Sequence, residues 1–125
     1  MRPELNAELR SALRNFVTAK LDPIAAEIDR TGAVPPEAIE VLRKHGYLGM
    51  LLPPEYGGGG VDLATYCLTL EEFSRSHRVF TLLLDYSTGL GPLGILRFGT
   101  EEQRKRWLPD LVSGRAKAAF ALTEP

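Results

Sequence analysis

Apolar residues fall at Leu5, Leu9, Leu13, Phe16, Ile24 and Ile28, close to a helical stripe with polar residues between. Pro23 interrupts that stripe. It removes a backbone donor and crowds the preceding turn, which predicts two shorter helices or one kinked helix ending at Thr31-Gly32. Pro35-Pro36-Glu37 opens the next helix, with Ala38, Ile39 and Leu42 on its apolar side and His45-Gly46 at its stop. Tyr47 to Tyr56 is apolar but broken by Pro53-Pro54, which predicts a buried connection. Asp62 is placed to cap a helix through Ser74, with Leu63, Tyr66, Cys67, Leu70 and Phe73 on one side. Val79 to Leu84 is apolar all round and predicts a buried helix, followed by a glycine-rich bend and a short helix from Ile95 to Phe98.

The last third has the clearest local chemistry. Thr100 and Gln103 have capping-box spacing, and Glu101 and Glu102 sit where the positive end of a helix favours anions. Trp107, Leu108, Leu111 and Val112 recur at helical spacing, and Gly114 is the stop. The segment after it, AKAAFALTEP, is small, apolar and extended, with Glu124 held out of the helical region by the proline that follows. The pattern predicts an all-α body, a bundle of about five to six helices, running into a first strand. Residues 1–115 form the helical domain in this reading and 116–125 begin the next. A strand with nothing to pair with is the expectation for part of a larger protein.

Composition narrows the chemistry by exclusion. Fifteen basic and sixteen acidic residues give a net charge of −1 with no basic stripe, so nothing argues for nucleic acid. The one cysteine, Cys67, allows no internal disulfide, and a charged start together with short apolar runs predicts a cytoplasmic protein without a membrane span. Two histidines and one cysteine give no metal-ligand spacing. Four glycines, Gly57 to Gly60, invite comparison with a phosphate loop, but Val61-Asp62 follows where Gly-Lys-Ser/Thr would be needed, so the run reads as a turn. Glu71 and Glu72 are neighbours, about 100° apart on a helix, and read as a solvated face rather than a catalytic pair. His45 reads as a helix end.

Three blocks together, Phe98-Gly99-Thr100-Glu101-Glu102-Gln103, Trp107-Leu108-Pro109 and Phe120-Ala121-Leu122-Thr123-Glu124-Pro125, resemble the acyl-CoA dehydrogenase family, and its N-terminal helical domain in particular. Pro54-Glu55-Tyr56 before the glycine run is similar too. One departure is Gly94, where the family usually has proline. The resemblance implies that the bundle is orthogonal or up-down and that the strand opens a β-domain. It also implies an FAD-dependent oxidation of an acyl thioester between its α and β carbons. It implies Phe120, Ala121, Leu122 and Thr123 as flavin contacts and Leu83, Tyr86, Ser87 and Leu90 as acyl-chain contacts. The glutamate base of the family belongs to a later domain, so no catalytic residue is assigned here and little flavin affinity is expected of these 125 residues alone. Implied partners are an acyl-CoA or acyl-carrier thioester, an electron-transfer flavoprotein or other acceptor, and further copies of the complete protein. Alternatives within the fold are a carrier-linked oxidase or a flavin monooxygenase. Outside it stands a helical binding module without chemistry.

Overall fold

The computed structural model describes residues 3–124, with side chains from Asn6 onward; Pro125, the end of the last motif, and the side chain of Leu5 lie outside them. Among the described residues seven α-helices run in order: α1 (Pro3–Phe16), α2 (Asp22–Thr31), α3 (Pro36–Lys44), α4 (Leu63–Phe73), α5 (Arg78–Thr88), α6 (Pro92–Phe98) and α7 (Glu101–Val112). Among the described residues there is no β-strand, and 118–124 have neither helix nor strand pairing.

The first two helices are one rod rather than two. Between them Val17–Leu21 forms a π-helical turn, in which the Asp22 N–H donates to the Val17 carbonyl five residues back. The wider turn absorbs Pro23 without a break, because the proline then occupies the first turn of α2, where its missing donor costs little. It also keeps Leu13, Val17, Leu21, Ala25 and Ile28 on one side, all buried. The sequence pattern had not placed Val17 or Leu21 there.

The main core joins this stripe to Ala38 and Leu42 of α3, Leu48 and Met50 of the connection, Tyr66, Leu68 and Phe73 of α4, and Phe80 and Leu84 of α5. Phe16, Tyr47 and Phe73 pack ring on ring at 4.7–5.7 Å. A smaller cluster of Leu52, Tyr56, Leu108 and Val112 holds α7 onto the connection. Tyr47 to Tyr56 is thus the buried connection its composition predicts, with a single 3-10 turn at Pro54–Tyr56.

Several caps form as read. The Asp62 carboxylate accepts from the Thr65 N–H at 2.7 Å. At α7, the Gln103 N–H donates to Thr100 Oγ1 at 3.2 Å and the Thr100 N–H to Gln103 Oε1 at 2.8 Å, closing the capping box. Three expectations fail on α4 and α7: Leu63, Cys67 and Trp107 are exposed. On α4 the inward side instead carries Thr69, whose hydroxyl donates to the Thr65 carbonyl. α5 is buried on one side only, through Phe80, Leu84, Ser87 and Thr88. Helix α6 starts at Pro92, three residues before the expected start, because Pro92 rather than residue 94 takes the first helical turn.

Candidate functional site

Three of the four proposed acyl contacts come together. Leu83, Tyr86 and Ser87 lie on α5 about one turn apart and line a small, half-open apolar depression. Ile39 of α3, Leu48 of the connection and Gly114, Ala116 and Lys117 after α7 complete its lining. The Ser87 hydroxyl, buried, donates to the carbonyls of Leu83 and Leu84 and so adds no free donor to the wall. Leu90 is not among the lining residues. It sits beyond the bend at Gly89, half exposed.

The four proposed flavin contacts share one property. Phe120, Ala121, Leu122 and Thr123 are all exposed, with Phe120 and Leu122 at 63%, on an irregular segment whose backbone makes no hydrogen bond among the described residues. A free run of N–H and C=O groups plus one hydroxyl fits one edge of a flat, hydrogen-bonding cofactor, and two exposed apolar side chains fit contact with a ring. It is one edge only, since nothing opposite it belongs to the described residues.

The other chemical candidates resolve into structural roles. In the glycine run, the N–H groups of Gly57, Gly58, Gly59 and Gly60 donate to the carbonyls of Pro54, Pro53, Gly49 and Leu52, at 2.8–3.1 Å. None is left to hold a phosphate. A Cβ on Gly58 would run into the Leu52 carbonyl, so glycine is required for packing. His45 Nδ1 donates to the Val41 carbonyl at 2.8 Å, closing α3. His77 caps α5, accepting from the Val79 N–H at 3.1 Å, and its other ring nitrogen lies 3.3 Å from Asp29. Among the described residues no three of His, Cys, Asp and Glu come close enough to hold a metal.

Glu72 corrects the reading of the α4 carboxylates. It is 0% exposed, not solvated. Arg14 Nε donates to Oε2 and Arg10 Nη1 to Oε1, both at 2.8 Å, while Arg10 also grips Glu71 at 2.8 Å. Hydrogen bonds, from Arg14 first and Arg10 next, hold the Glu72 carboxyl below the usual carboxylate range. The signal was present: Glu72 falls between Thr69 and Phe73 on the inward stripe, and Arg10 and Arg14 are one turn apart on α1. No comparable signal marked Ile39, Leu48 or Ala116 as cavity residues, because they come from three separate segments.

Arg78–Phe98 has the length and composition of a membrane-crossing segment. It is two helices, however, and the 11 residues of α5 reach only about 16 Å, against ~30 Å of hydrocarbon.

The family described as "Acyl-CoA dehydrogenase, N-terminal domain" matches residues 3–115. An acyl-CoA dehydrogenase of Bacillus subtilis is 38% identical over 117 residues, covering 94% of this chain and 31% of that protein. A 3-(aryl)acrylate reductase of Clostridium sporogenes is 36% identical, with the same 94% and 31% coverage. The crystal structure of an acyl-CoA dehydrogenase complexed with FAD from Bacillus anthracis superposes with a TM-score of 0.80 at 31% identity, over 99% of this chain and 21% of that one. The chain thus spans under a third of the relatives it matches. Helical order, sequence and superposition agree: this chain belongs to the acyl-CoA dehydrogenase family, as its N-terminal helical domain.

Proposed function

We propose that this chain supplies the acyl-chain wall and one flavin edge of an FAD-dependent acyl-thioester dehydrogenase, with residues 116–125 beginning the domain that follows. The observation that carries the reading is the apolar depression at Leu83, Tyr86 and Ser87, bordered by the segment that runs on into the free-ended backbone at Phe120–Thr123. The wall is mainly apolar, and its buried Ser87 hydroxyl is already paired with backbone carbonyls. Phe120 and Leu122 would flank the cofactor, while the backbone of Ala121 and the Thr123 hydroxyl would hydrogen-bond its polar edge. When bound, the flavin supplies the acceptor for the hydride that leaves the β carbon. Removal of the α proton needs a base, and among the described residues no carboxylate lines the depression.

An electron-transfer flavoprotein is the proposed acceptor, and a homo-oligomer the proposed assembly. A second reading, supported by the reductase relative, runs the same carbon–carbon chemistry toward the saturated acyl group. The test is the visible spectrum and intact mass of the natural gene product. Flavin bands that bleach on adding an acyl-CoA are expected, and Thr123→Ala should weaken flavin retention by about 5–10-fold, the value of one hydrogen bond. A mass of 13.8 kDa with no flavin would overturn the reading.

A further inference from the structure

We propose that Gly91 is a positioning residue for the flavin edge, acting through Ala118. This rests on the reading of Phe120–Thr123 as that edge. After Ala116, whose N–H donates to the Asp110 carbonyl at 3.0 Å, no backbone hydrogen bond holds the segment among the described residues. Packing takes over where hydrogen bonding stops. Ala116 and Ala118 are half-buried, while Arg115, Lys117 and the described residues from Ala119 on are exposed, so Ala118 is the last side chain turned inward before the four flavin candidates. It turns onto Gly91, at the entry to α6. A Cβ built on Gly91 would overlap Ala118 Cβ and lie 3.5 Å from Ala118 Cα. Non-bonded carbons prefer separations of about 3.5–4.0 Å, so even alanine at 91 would have to displace the segment. The backbone itself does not ask for glycine here: Gly91 has φ −88° and ψ −56°, open to any residue. Nor is the missing Cβ significant throughout this helix, since one on Gly94 would meet nothing within 4 Å. The requirement at 91 is set by the segment that crosses it, and the crossing fixes where the free N–H and C=O groups of the edge begin.

The experiment uses the natural gene product with its flavin and compares Gly91→Ala, Ala118→Gly, the double variant and Gly94→Ala. It reads the flavin dissociation constant, the visible absorption bands and the helix content by circular dichroism. Gly91→Ala is expected to weaken flavin binding by about 10-fold or more, the scale of one or two lost hydrogen bonds, and to shift the bands of the flavin that stays bound. Ala118→Gly removes the obstructing methyl, so the double variant should return to within roughly 3-fold of the unaltered protein, the non-additivity expected of two residues in contact. Gly94→Ala lies on the same helix without the contact and should bind flavin as the unaltered protein does, which separates positioning from helix stability. Unchanged flavin binding by Gly91→Ala would overturn the positioning role, and so would a loss that Ala118→Gly does not relieve. A fall in helix content with Gly91→Ala would make the contact a folding requirement and overturn the role as well. All three leave the flavin edge standing. An unaltered protein without flavin would overturn the edge itself, and the positioning role with it.

Discussion

The two ends of this domain are held in different ways. The N-terminal rod, α1 through α2, has a continuous buried stripe from Leu13 to Ile28, packs Phe16 against the rings of Tyr47 and Phe73, and grips the buried Glu72 carboxylate of α4 with two arginines. The part from α6 to the last described residue holds to the rest through the small cluster of Leu52, Tyr56, Leu108 and Val112, and it shows Phe98 at 87% exposure, with Trp107, Phe120 and Leu122 also in solvent. One region spends its apolar residues on its own stability. The other leaves them outside, on the side where the motifs that resemble cofactor contacts occur. Large exposed apolar side chains grouped in one region mark an interaction surface, whereas scattered ones do not. The comparison teaches that the N-terminal half is clamped internally, whereas the later part leaves several large apolar side chains in solvent.

The strongest way to break that contrast is at the centre of the clamped half. Phe73 is fully buried, stacks on Phe16 at 5.7 Å and meets the Tyr47 ring at 4.8 Å. Phe73→Ala is expected to cost about 3–5 kcal/mol, measured by urea denaturation, because a cavity opens among rings that cannot all collapse into it. A cost under about 1 kcal/mol would show that the aromatic stack is not what holds the rod.

Glu72 tests the same half by charge. Removing one partner of a buried pair costs roughly 3–5 kcal/mol, but here Arg10 and Arg14 stay partly in water, so Glu72→Gln should cost about 2 kcal/mol at neutral pH. The pH dependence follows from the sign of the shift. The folded carboxyl is held below its unfolded value, so the unfolded chain binds the proton more readily. The contribution is therefore complete above the ordinary carboxylate range and is lost as pH falls below about 4.5. Thermal melts of the two proteins should differ most at pH 7 and converge toward pH 3. A difference that stays constant across that range would show that the ion pair is not its source.

How much of this was legible follows from which features are local. The α7 capping box, the Asp62 cap and the stop at Gly114 need only neighbours in the chain, and the sequence shows them directly. The Phe98 to Pro125 motifs likewise carried the family. Glu72 was misread because its partners are about 60 positions away: adjacent to Glu71 in sequence, it differs only by where the helix turns it. The π turn at Val17–Leu21 was hidden for another reason, since the chain accommodates Pro23 by widening a turn, and an apolar pattern read at fixed helical spacing breaks there. The acyl depression was half legible. Leu83, Tyr86 and Ser87 share one helix face, whereas the rest of its lining comes from segments that only tertiary packing brings together.

The smallest expected effect sharpens the contrast from the open half. Gly94 lies inside α6, and a Cβ built there meets nothing within 4 Å. A glycine in a helix loses more conformational freedom on folding than any other residue, and here it fills no tight contact in return. Gly94→Ala should therefore stabilise the domain by about 0.5–1 kcal/mol, seen as a melting temperature a few degrees higher. Amide exchange should slow across α6 and α7, which pack on each other, and stay unchanged in the rod held by Arg10, Arg14 and Glu72. A rise in protection throughout the chain would show that the two regions unfold together. Slowing confined to α6 and α7 would establish the open half as a separate unit of lower stability.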